Sequence, residues 1–195
     1  MIVIDVETTG TNSQKHSLVN IGAVDTDDLG NIFYEECRIW EGAHIEEIAL
    51  EINGETEESI KDPSKQTEGE IVRKFLDWFE DRKVKVIVGH NPILDFSFIR
   101  DAADRADLNF TLSKRTIDLH TVCFTHMVLN GKEPPLKEGK TDINSETVME
   151  YVGIPKEPKP HKGINGAIWE AEALYRLFYN KNLFEQFSKY PIPWI

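Results

Sequence analysis

The chain has 195 residues, 40 % of them hydrophobic and 29 % charged, with a formal net charge of −12. That balance reads as one globular domain over residues 1–195 and excludes a broad basic surface for gripping nucleic acid. No apolar run approaches the ~20 residues needed to span a bilayer, and no leader pattern opens the chain. The expectation is a cytoplasmic protein with no membrane partner. Cys37 and Cys123 are too few and too far apart for a disulfide framework.

In chain order, residues 2–6 read as a buried strand, and the β-branched run 18–24 as a second. Gly30-Asn31 is a turn signal before a third strand over 32–40, so the second and third strands are expected to form a hairpin. Residues 41–65 are acidic and irregular, with one helical turn expected around 45–50. Ile71, Val72, Phe75, Leu76 and Phe79 recur at three- and four-residue spacing, which predicts an amphipathic helix over 68–81.

A fourth strand over 83–88 ends at Gly89-His90-Asn91-Pro92 and leads into a helix over 93–106. A short strand is expected at 116–119 and a polar loop at 132–142. Asn144 or Ser145 caps a helix through Tyr151, which Gly153 and Pro155 end. After a Lys/Pro loop at 155–160, a last helix covers 165–179. The motif-bearing core spans 1–180, and the apolar tail within 181–195 is expected to pack on it. Three antiparallel strands followed by alternating helices and strands predict an α/β fold, a mixed central sheet of about five strands flanked by helices.

Three segments carry chemistry. A strand alternates faces with period two, so Asp5 and Glu7 point to the same side at the end of the first strand. Two like charges there repel unless a cation neutralises them, and Mg²⁺ or Mn²⁺ takes oxygen ligands. A solvated strand end running into a Thr-Thr-Gly turn is the bland alternative. Asp95 falls near a helix start just after a strand end, where sites gather in α/β sheets; a favourable helix-dipole partner would look the same. His161 ends the Pro-rich loop ahead of the last helix, placed to take a proton from a metal-bound water.

Asp-Val-Glu-Thr-Thr-Gly at 5–10, Gly-His-Asn-Pro-Ile-Leu-Asp-Phe-Ser-Phe-Ile at 89–99 and His161 before an Ala-rich helix together resemble the DnaQ-like 3′–5′ exonucleases. This is the histidine-type (DEDDh) branch of a superfamily with a ribonuclease H-like fold. The resemblance runs from Met1 to about Tyr179. It implies that Asp5, Glu7 and Asp95 ligate two divalent ions, Mg²⁺ or Mn²⁺, and that His161 is the general base. It implies Thr8, Thr9, Gly10, His90 and Asn91 near the terminal nucleotide, with Ile52 and Phe96 either apolar contacts for bases or core. The substrate it implies is a single-stranded DNA or RNA 3′ end, released as nucleoside 5′-monophosphates. No motif announces a polymerase-binding surface. Lys114, Arg115, Lys156, Lys159 and Lys162 are the cations to weigh as phosphate contacts.

The chain departs from that pattern at one position. The family's last motif has an aspartate five residues after the histidine, and here that residue is Gly166. Glu170 lies one helical turn further, about 6 Å along the axis, and Glu172 points elsewhere. The expectation is therefore an exonuclease impaired at one ion, which is weak or absent. The alternative is a degenerate module that binds nucleic acid or a partner without cutting.

Overall fold

In the computed structural model, which describes residues 1–195, the β-branched N-terminal third builds the middle of one mixed sheet. Strand β1 (Ile2–Thr8) pairs antiparallel with β2 (Leu18–Asp25), which pairs antiparallel with β3 (Ile32–Glu36). The expected hairpin is present. Its third strand stops at Glu36; beyond it the Trp40 indole leaves the ladder and donates to the His16 carbonyl.

Helix α1 (Glu47–Asn53) overlaps the helical turn expected around 45–50, and α2 (Glu57–Ile60) lies in the part read as irregular. Helix α3 (Glu68–Glu80) starts at a capping box, where Thr67 and Glu70 satisfy each other's backbone N–H groups. Strand β4 (Ile87–Gly89) lies parallel to β1 and leads into α4 (Ile93–Arg105). Strand β5 (Thr116–Asp118) closes the order β3-β2-β1-β4-β5.

Helix α5 (Leu119–Leu129) was not expected. Its apolar residues are spread around the axis: Leu119, Cys123 and Met127 are buried while Phe124, Val128 and Leu129 are exposed, so no single stripe marks it. The polar loop at 132–142 holds a minimal hairpin, β6 (Leu136–Lys137) with β7 (Lys140–Thr141). Asn144 caps α6 (Ser145–Val152), and Gly153 ends it in the left-handed region at φ 78°. The last helix is α7 (Gly163–Tyr179).

The two faces of β1 separate two cores. Ile2 and Ile4 pack with Phe75 of α3 and with Phe96 and Ile99 of α4. Val3 packs on the other face with Ala167, Ala171 and Leu174 of α7. Continuing that alternation, Asp5 and Glu7 leave the strand on the α7 side. No helix is long and apolar enough to cross a membrane.

Two ion pairs built on buried acids fix elements that the hydrophobic pattern leaves free. Glu68, at the start of α3, accepts from the Ser17 hydroxyl and the Leu18 N–H, both at 2.7 Å, and pairs with Arg105 of α4. Arg176 and Glu172 of α7 are fully buried and 2.8 Å apart. Arg176 donates to the carbonyls of Val152, Phe187 and Tyr190, and Glu172 accepts from the Leu183 and Phe184 N–H groups. The tail is thus sewn to α7, with Trp194 stacked on Tyr151 of α6.

Candidate metal centre

The site lies at the carboxyl edge shared by β1 and β4, where α4 and α7 also begin. Its geometry follows from how closely α7 approaches the sheet. A Cβ at Gly22 of β2 would stand 2.1 Å from the Gly163 carbonyl carbon, and one at Gly163 would stand 2.5 Å from the Asp5 carbonyl oxygen. Backbone meets backbone here because neither position has a side chain. The helix has no cap of its own; Asn20 of β2 reaches over and accepts from the Gly163 N–H at 3.0 Å.

Asp95, in the first turn of α4, accepts from the Val6 N–H at 3.0 Å, which pins α4 to β1 beside Asp5 and Glu7. Glu170 is buried on α7, one turn beyond Gly166, and accepts from the His90 N–H at 2.9 Å. Glu157, in the loop before α7, stands with one carboxylate oxygen 3.7 Å from His161 Nδ1. The ligand atoms of Glu7, Glu157 and His161 all lie within 4.8 Å of one another.

These acids act on one another without a compensating cation of matching strength. Burial pushes the Asp5 carboxyl well above the ordinary range, and Glu170, Asp95, Glu7 and Glu157 push it further. Burial, then Glu157 and Asp95, raise Glu7 to about 8, against a partial pull from Lys162. Burial raises Asp95 to about 7 and Glu157 to about 7, in each case against backbone N–H groups that pull it down. Glu170 is raised by burial and then by Asp95. His161 is lowered by burial and by the Lys159 charge, so its imidazole is neutral near pH 7.

An all-oxygen donor set with one neighbouring imidazole, buried and unneutralised, fits hard divalent ions such as Mg²⁺ or Mn²⁺. Four features of the sequence reading meet here: Asp5, Glu7, Asp95 and His161. Glu170 and Glu157 join them. By axial distance alone Glu170 is too far along the helix. Its side chain spans the extra turn, and position 166 itself is occupied, because a Cβ there would lie 2.1 Å from Asp5 Oδ2. Glu157 carried no pattern at all; its only signal was being four residues before His161 in a Pro-flanked loop.

The expected substrate contacts are placed as follows. The Thr8 hydroxyl donates to the Gly10 carbonyl at 2.7 Å. Thr9 is fully buried, its hydroxyl donating to the His44 carbonyl and accepting from the Ser17 N–H. Gly10 lies against the His16 ring. His90 is half-buried, with its ring Nδ1 buried and unpartnered. Asn91 is exposed in the left-handed region at φ 56° and donates its N–H to Asp118. Ile52 is exposed, whereas Phe96 is core. Lys114, Arg115 and Lys159 are exposed; Lys156 pairs with Glu146, and Lys162 with Glu55 at 2.8 Å and Glu36 at 3.6 Å.

The exonuclease family model that bears the name RNase T matches residues 2–168. Ribonuclease T of Shewanella sp. strain W3-18-1 is 30 % identical over 210 residues, covering 98 % of this chain and 85 % of its own. Ribonuclease T of Shewanella baltica strain OS155 is 30 % identical over 195 residues, covering 91 % of this chain and 78 % of its own. Among solved structures, cell-death related nuclease 4 superposes with a TM-score of 0.73 at 14 % identity, over 93 % of this chain and 64 % of that one. The nuclease domain of 3′hExo, a DEDDh member bound to rAMP, gives 0.70 at 14 % identity over 94 % and 93 %. E. coli exonuclease I bound to a dA16 oligonucleotide gives 0.72 at 16 % identity, over 92 % of this chain and 40 % of that one. The five-stranded mixed sheet is thus a ribonuclease H-like fold, and the chain belongs to the RNase T exonuclease family, within the DnaQ-like 3′–5′ exonucleases.

Proposed function

We propose that the chain is a divalent-metal-dependent exonuclease that removes nucleoside 5′-monophosphates from the 3′ ends of single-stranded DNA or RNA. The observation that carries this is the convergence of Asp5, Glu7 and Asp95, from two elements, on one half-buried and unneutralised edge beside a neutral His161. The rAMP on the 3′hExo domain and the dA16 on exonuclease I lend the substrate class support.

Asp5, Glu7 and Asp95 would hold the ions, Asp5 from the centre of the group. Bound ions would acidify the attacking water and offset charge on the leaving 3′ oxygen. His161 presents Nδ1 to Glu157, which leaves Nε2 to take the water's proton. The Val6 and His90 N–H groups fix Asp95 and Glu170, so the acids hold their places before substrate arrives.

A 5′-labelled oligonucleotide tests this. The expected result is a ladder of shortened products in Mg²⁺ or Mn²⁺, abolished by chelation and by Asp5→Asn. Intact substrate under all conditions, or label released first from the 5′ end, overturns it. The second reading, a binding module without cleavage, rests on Gly166; it expects an oligonucleotide to bind with no shortening.

A further inference from the structure

Position 166 cannot supply the acid the family places there while α7 lies where it does. A Cβ at Gly166 would fall 2.1 Å from Asp5 Oδ2 and 2.7 Å from its Cγ. The loop ahead of α7 offers a replacement. We propose that Glu157 is the fourth carboxylate ligand of the metal centre, taking the place of the acid that Gly166 lacks. This rests on the metal-dependent reading above and names a ligand that reading does not require.

Two observations carry it. Glu7, Glu157 and His161 form the one group of three His, Cys, Asp or Glu donors in the chain whose ligand atoms lie within 4.8 Å of one another. Donors on one octahedral ion at 2.0–2.1 Å stand about 3–4 Å apart, so Glu7 and Glu157 are a small movement from sharing one ion, with His161 beside it to take a proton. The Glu157 side chain is only 11 % exposed, and its Oε1 is buried with no hydrogen-bond partner. A buried, unmatched carboxylate oxygen is costly unless a ligand completes it.

Glu170 is the rival. Its Oε2 already accepts from the His90 N–H at 2.9 Å, which ties α7 to the end of β4, and it stands outside the close group that Glu157 forms with Glu7 and His161.

Calorimetric titration of the whole chain with Mn²⁺ decides between them, comparing the native sequence, Glu157→Gln and Glu170→Gln, with the melting temperature of each metal-free protein as a folding control. Glu157→Gln is expected to lose one bound ion, or to weaken it at least tenfold, while its metal-free form melts no lower than the native chain. Glu170→Gln is expected to keep the native ion count. Should Glu157→Gln fail to fold, Glu157→Asp keeps the charge and is expected to weaken the same ion. An unchanged titration in whichever Glu157 variant folds, or loss of an ion in Glu170→Gln alone, overturns the assignment. If the native chain binds no Mn²⁺, the metal-dependent reading itself fails.

Discussion

Replacing Asp95 by Asn should strengthen the metal-free protein. Asp95 is 6 % exposed, and burial raises it from 3.8 to about 7. The folded state therefore takes up a proton that the unfolded chain releases near pH 4. The resulting stability is present at acid pH and lost as pH rises through about 7. At about pH 8 the ionised form carries a penalty of order 4 kcal/mol, from about 1.4 kcal/mol per pH unit of that displacement. The asparagine of Asp95→Asn would have the shape of the protonated acid and would still accept from the Val6 N–H. We expect a gain of about 2–4 kcal/mol at about pH 8 in chelator, shrinking toward zero near pH 4.5. In a protein of this size that corresponds to a rise of about 4–16 °C in melting temperature. Saturating Mn²⁺ should narrow or reverse the difference, since a ligand at 100 times its Kd adds about 2.7 kcal/mol to the chain that binds it. Urea unfolding at the two pH values, with and without metal, reads all of this. An Asn variant that unfolds at the same or lower urea concentration at pH 8 without metal would refute the claim that these acids are held together against their charge.

Arg176→Ala strands Glu172 without its partner in a fully buried site, so a loss of about 3–5 kcal/mol is expected by calorimetry; a loss below about 1 kcal/mol would mean the tail holds without it. His161→Gln should lower the turnover rate by about 10²–10⁴ while leaving the Mn²⁺ count unchanged; loss of an ion would make His161 a ligand instead of a base. Because burial and the Lys159 charge lower His161, its basic form should persist through the ordinary imidazole range, so at saturating Mn²⁺ the rate should not fall as pH is lowered into that range. Gly166→Ala should displace the Asp5 carboxylate and weaken Mn²⁺ at least tenfold, and Gly166→Asp should fail to raise activity; an Asp variant with tighter metal binding and faster cleavage would show that α7 can back away.

The strands and the amphipathic helices were legible because their signals are periodic. β1 alternates, with Ile2 and Ile4 on one core and Val3 on the other, so the shared face of Asp5 and Glu7 could be read before any fold was known. Asp95 was legible for a similar reason, since a strand ending in Gly89 leads directly into its helix. Helix α5 was not, because Phe124, Val128 and Leu129 blur its stripe. Glu157 was not, because a ligand on a loop obeys no period; its neighbours are set by where Pro155–Pro160 folds back, a tertiary fact. The Arg176–Glu172 pair is an ordinary i, i+4 pattern in sequence, and only burial turns it into the anchor of the tail.

The displaced acid has a cause in backbone geometry. Helix α7 is held against β1 and β2 by Gly22 and Gly163, and its first N–H is capped from the sheet by Asn20. At that approach a Cβ at position 166 would lie 2.1 Å from Asp5 Oδ2, so a side chain there requires Asp5 to move. A carboxylate serving the same ions must start from a backbone that stands further off. Two such places border the group: the next turn of α7, which gives Glu170, and the loop before it, which gives Glu157. The first spends one oxygen on the His90 N–H, while the second lies in one close group with Glu7 and His161. On the proposed assignment, a close-packed helix and an acid at position 166 are alternatives, and the loop supplies the ligand that this turn of the helix does not.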